Sequence, residues 1–89
     1  MSTLSNPEWS PLASSVGFDE DNLIVGLSDG RTITVPLEWF PRLRDATPSQ
    51  RADWELISSG IGIHWEEIDE DISVAGLLAG RRSAEVWPR

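Results

Sequence analysis

The sequence predicts one small α+β domain: an antiparallel β-meander of three strands plus a fourth strand, with two or three short helices packed on one face. Three observations carry that prediction. Apolar residues recur at every second position through residues 16–37, the pattern of strands with one buried face. Asp29-Gly30 separates two such runs, the strongest short-range hairpin signal. Thr47-Pro48-Ser49-Gln50 then supplies the residues of a helix capping box.

Residues 1–14, rich in Ser and Pro and without periodicity, read as an N-terminal arm docked through Trp9 and Leu12. Val16 and Phe18 alternate in the first strand, and Asp19-Glu20-Asp21-Asn22 makes a polar turn. Leu23, Val25 and Leu27 mark the second strand; Ile33, Val35 and Leu37 mark the third. The bend at Asp29-Gly30 is expected to be a type I′ turn, with positive φ at both central residues. Pro36 closes the third strand, where a missing N–H does least harm.

Trp39-Phe40-Pro41-Arg42-Leu43 reads as one irregular helical turn that packs its aromatic rings under the sheet. In the capping box Thr47 is the N-cap, Pro48 the first helical residue, and Gln50 reaches back. That helix is expected to run to about Ile57 and stop at Ser58-Ser59-Gly60, with Ala52, Trp54 and Leu56 as its apolar set. Ile61, Ile63 and Trp65 alternate in the fourth strand. Val74, Leu77 and Leu78 have the spacing of a short final helix ended by Gly80. The domain therefore spans residues 15–80, and residues 81–89 form a tail with Trp87 as a possible anchor.

Composition narrows the function classes. The chain has 89 residues, room for one core only. Its formal charge is -8, from 15 acids against seven bases, all arginine. Phosphate neutralisation needs a basic footprint, so direct nucleic-acid binding is disfavoured; an acidic surface fits a basic protein partner, or simply a need for solubility. No window approaches the roughly 20 apolar residues of a membrane span, and the first residues do not form a secretory signal. Without cysteine there is no disulfide framework, and a soluble cytoplasmic protein is expected. Four of the five tryptophans (Trp39, Trp54, Trp65, Trp87) lie near predicted element ends, where an amphipathic ring covers a core.

Two blocks carry a family resemblance. The first is Leu27-Ser28-Asp29-Gly30-Arg31 with Val35-Pro36-Leu37-Glu38-Trp39-Phe40-Pro41-Arg42-Leu43 and Ala46-Thr47. The second is Ile63-His64-Trp65 with Asp69-Glu70-Asp71-Ile72-Ser73 and Leu77-Leu78. On these residues the chain resembles a bacterial family catalogued as domain of unknown function 2442, from about Val16 to Gly80. The resemblance implies a small α+β domain. It also implies two settings: fusion to a C-terminal helix-turn-helix, or a stand-alone chain beside a small partner in an arrangement like a toxin–antitoxin pair. This chain continues only nine residues past Gly80, so no DNA-reading module is expected. The family carries no established catalytic residues to transfer.

The segment His64-Trp65-Glu66-Glu67-Ile68-Asp69-Glu70-Asp71 looks most like chemistry. As a calcium loop it fails: the sixth position should be Gly and is Val74, and the twelfth should be Glu and is Gly80. Its plain reading is a solvated loop whose Asp69 or Asp71 caps the final helix. His64 should face away from Ile63 and Trp65, as a hydrogen-bonded structural residue. With one His and no Cys, no metal, cofactor or catalytic residue is assigned. Asp29, Gly30, Pro36, Trp39, Pro41, Arg42, His64 and Trp65 are taken as structural, with Arg42 paired to an acidic-loop carboxylate. Arg31 beside a single glycine is no phosphate cradle.

The leading functional expectation is a non-enzymatic interaction module that binds a protein partner, as the antitoxin-like member of a toxin–antitoxin pair. Glu66, Glu67, Asp69, Glu70 and Asp71 would make the contact, with Leu77 and Leu78 shared between core and interface. The alternative is a sensor or dimerisation domain related to transcription regulators. An exposed strand edge also makes a homodimer an expectation.

Overall fold

The structure, a computed structural model, describes residues 11–82. Trp9 and Trp87 lie outside that range. β1 (Ala13–Phe18), β2 (Asn22–Leu27) and β3 (Thr32–Pro36) pair antiparallel in the order β1-β2-β3. The expected meander is present. Its register places Val16, Val25 and Ile33 in one row and Phe18, Leu23 and Val35 in the next, all on the inner face. Small and neutral residues such as Ser15, Gly26 and Thr32 occupy the other face.

Two details depart from the sequence reading. β1 starts at Ala13, which is buried, so the strand takes the last residues assigned to the arm. Leu12 and Ser28 anchor that start: the Leu12 N–H donates to Ser28 Oγ at 2.9 Å, and the Ser28 N–H donates to the Leu12 carbonyl at 2.8 Å. The hairpin bend, moreover, is a three-residue loop. Only Gly30 is left-handed (φ 96°), and the Leu27 N–H donates to the Arg31 carbonyl at 2.8 Å. Asp29 accepts from the Arg31 N–H and Nε at 3.1 and 2.8 Å, so its side chain closes the loop and only the glycine needs positive φ.

After Pro36 the chain makes a 3-10 turn (Leu37–Trp39) and a single turn of helix, α1 (Pro41–Arg44). Leu37, Phe40 and Leu43 are buried, and Trp39 is half-buried. α2 (Pro48–Ala52) carries the full capping box: Gln50 N–H donates to Thr47 Oγ1, and Thr47 N–H donates to Gln50 Oε1. The helix stops five residues earlier than expected. Trp54–Ile57 forms β4 instead, and Ala52 is exposed. Trp and Ile favour a pleated surface over a helix, and pairing here places Trp54 beside Trp65 and Leu56 beside Ile63.

β4, β5 (Gly62–Trp65) and β6 (Glu70–Ser73) make a second antiparallel sheet where one strand was expected. The fold is therefore α+β with two three-stranded sheets. Both contribute to one core that includes Leu23, Val25, Leu43, Ile63 and Trp65, all at 0% exposure. Phe18 and Trp65 meet edge-to-face across the sheets, with centroids 6.3 Å apart. The buried indole is satisfied, because Trp65 Nε1 donates to the Arg51 carbonyl at 3.0 Å. Arg51 in turn donates to the carbonyls of Leu43 and Arg44 at 2.8 and 2.7 Å, tying α2 to the end of α1.

α3 (Val74–Leu78) ends as expected. Gly80 is left-handed (φ 79°), with Gly80 N–H to Leu77 and Arg81 N–H to Gly76 completing a Schellman motif. Its N-cap is Ser73, whose Oγ accepts from the Gly76 N–H at 2.9 Å, and not Asp69 or Asp71. Those aspartates lie too early in the chain, one in the β5–β6 turn and one inside β6. Among the described residues no helix is long and apolar enough to cross a membrane.

Candidate interaction surface on the second sheet

Strand alternation sorts the acidic segment into two environments. Glu55, His64 and Asp71 lie side by side on the outer face of β4, β5 and β6, while Trp54, Trp65 and Glu70 form the next row on the inner face. His64 thus points away from Ile63 and Trp65, as its position predicts. Its two ring nitrogens meet two carboxylates: Nε2 lies 2.7 Å from Glu66 Oε1, and Nδ1 is hydrogen-bonded to Asp71. These bonds, Glu66 first and then Asp71, raise His64 from its ordinary 6.5 to about 9. Near neutral pH the imidazolium donates from both nitrogens and holds the turn to β6.

That turn is also pinned from the other side. Arg42 Nη1 donates to the backbone carbonyl of Asp69, and the Asp69 carboxylate sits farther away, at 3.9 Å. The expected link between the two sequence blocks exists, through both the backbone carbonyl and the carboxylate of Asp69. Asp69 has φ 54°, a left-handed conformation tolerated by Asp better than by most residues. Its side chain is 91% exposed, and that of Glu66 is 79% exposed. Gln50 Nε2 donates to Glu67 at 3.2 Å, which brings α2 to the edge of the same surface.

Glu70 is the exception among the five acids read as contact residues. It is 5% exposed, on the inner face of β6, and cannot form an outer contact. A cleft of about 370 Å³ lies beside it, lined by residues that include Phe40, Arg42, Leu77, Arg81 and Arg82. Arg82 stacks over the Trp39 ring at 4.8 Å on this side. Leu77 belongs to the core, whereas Leu78 is exposed. The outer surface thus consists of Glu66, Glu67, Asp69 and Asp71 plus Glu55, a residue the sequence reading placed in a helix. The alternation of Trp54 and Leu56 was the signal that could have revealed it.

No curated protein matches the chain. Among solved structures, it is similar to the crystal structure of a protein of unknown function from Rhodospirillum rubrum. Identity is 32% and the TM-score 0.74, over 88% of this chain and 96% of that one. The solution NMR structure of an uncharacterized protein from Chromobacterium violaceum is similar at 33% identity and TM-score 0.72, covering 90% of this chain and 74% of that one. Residues 13–83 match the family described as "Protein of unknown function (DUF2442)", and the chain belongs to that family.

Proposed function

We propose that the protein is a non-enzymatic cytoplasmic interaction module that receives a basic protein partner on the outer face of its second sheet. One observation carries this reading. Glu66, Glu67 and Asp69 from the β5–β6 turn, with Asp71 beside them on β6, project to solvent where Arg42 and His64 hold the turn in a fixed shape. Carboxylates displayed on a pinned turn are pre-organised for complementary charge, so less ordering entropy is lost on binding. The family resemblance suggests the setting: the antitoxin-like member of a toxin–antitoxin pair, with a small partner encoded beside it.

The test is co-expression with the neighbouring gene product, followed by calorimetry on the purified pair. Replacing Glu66, Glu67 and Asp69 together with Lys should weaken binding at least about tenfold and reduce its salt dependence. Unchanged affinity would reject this surface. A second reading, a sensor domain related to transcription regulators, draws on the cleft between β6 and α3, where arginines and carboxylates face one space. Charge reversal at Glu66 and Glu67 alone, which do not line that cleft, would leave a ligand bound there unaffected, whereas Asp69 and Asp71 border it.

A further inference from the structure

The register of the second sheet brings one donor atom from each of Glu55, His64 and Glu66 within 4.8 Å of one another. Nothing in the linear order suggests this set, since Glu55 comes from a different strand. We propose that His64, Glu55 and Glu66 bind a zinc ion on the outer face of this sheet, with Asp71 as the positioning residue behind the imidazole.

The chemistry of the set selects the ion. One imidazole nitrogen and two carboxylate oxygens, without thiolate, suit Zn²⁺ better than the all-oxygen preferences of Mg²⁺ or Ca²⁺. Tetrahedral zinc with ligands near 2.0 Å needs donor atoms about 3.3 Å apart. The proposal asks the exposed Glu55 and Glu66 side chains to close from within 4.8 Å to that spacing. His64 Nε2 already faces Glu66 at 2.7 Å, while Nδ1 is held by Asp71 on the neighbouring strand. A carboxylate on the far nitrogen is the arrangement that fixes tautomer and ring orientation in zinc-ligating histidines. Three carboxylates around one imidazole also leave an excess of negative charge that a dication neutralises. Zinc would replace the proton that His64 shares with Glu66 and leave a fourth position for water.

The site shares Glu66 with the partner surface but needs no second protein, so zinc binding and partner binding can fail separately. Metal-free protein would be titrated with Zn²⁺ by calorimetry at pH 8.5, with Co²⁺ absorption as a second probe of coordination. One saturable site is expected. Glu55→Gln with Glu66→Gln should weaken it at least about tenfold, and Asp71→Asn by a similar factor with an altered cobalt spectrum. Glu67→Gln with Asp69→Asn should change neither. Absence of saturable binding would overturn the proposal. So would equal competition by Mg²⁺, or a loss in the Glu67/Asp69 variant matching that of the Glu55/Glu66 variant. Either result would mean diffuse attraction to carboxylates.

Discussion

The two sheets share one core but differ on the side turned away from it. The outer face of the first carries Ser15, Gly17, Gly26, Thr32 and Thr34 around Ile24, with no charged side chain in its paired register. The outer face of the second carries Glu55, His64 and Asp71 in one row, and continues into the acidic turn. Their connections differ as well. The β2–β3 loop confines positive φ to Gly30, whereas the second sheet is linked through left-handed Ser58, Ser59 and Asp69. Non-glycine residues in that region cost on the order of 1–3 kcal/mol each, and such strain tends to collect where a surface is used. On the function proposed above, the first sheet serves as scaffold and the second as display.

The largest expected effect tests whether the two sheets are one cooperative unit. Trp65 is fully buried against both, so Trp65→Ala should cost about 3–5 kcal/mol and lower the stability of both sheets in a single transition. Denaturant unfolding followed by circular dichroism and by amide protection would show this. A first sheet that survives the substitution intact would separate the two regions more sharply than a shared core allows.

Arg42→Ala should come next, at about 1 kcal/mol for a lost hydrogen bond to a backbone carbonyl. Asp69→Asn should matter much less, since the carboxylate is only loosely engaged and Asn tolerates left-handed backbone. Equal losses in urea titrations of the two variants would show that the ion pair, and not the main-chain bond, secures the turn.

The smallest effect is the pH dependence of the same turn. His64 titrates near 9 in the folded chain against 6.5 unfolded. Its contribution to stability is therefore complete below pH 6.5 and fades as pH rises through 9. Solvent screening keeps the change modest. In metal-free protein the urea midpoint should fall between pH 6.5 and 10, and should stay flatter in His64→Gln. A histidine resonance titrating near 6.5 by NMR would remove this link.

The same contrast explains what the sequence could tell. The first sheet was legible because its strands are long enough to show alternation, and because Asp29-Gly30 marks the bend locally. The second was hidden by brevity. Trp54–Ile57 follows a strong capping box, so its four residues read as the continuation of a helix. Glu70-Asp71-Ile72-Ser73 shows a single apolar residue, and nothing local distinguishes buried Glu70 from exposed Asp71. Strand period decides that, and only pairing with β5 reveals the strand. The outward placement of His64 was readable from Ile63 and Trp65. Its cross-strand neighbour Glu55 was not, because contact across a sheet depends on register.

Amide hydrogen exchange of the protein, alone and with the co-expressed neighbouring gene product, tests the proposed division into scaffold and display most directly. Added protection should concentrate on β5, the turn through Asp69, and β6, and leave β1–β3 as in the free chain. Protection confined to the first sheet, with the second unaltered, would contradict it.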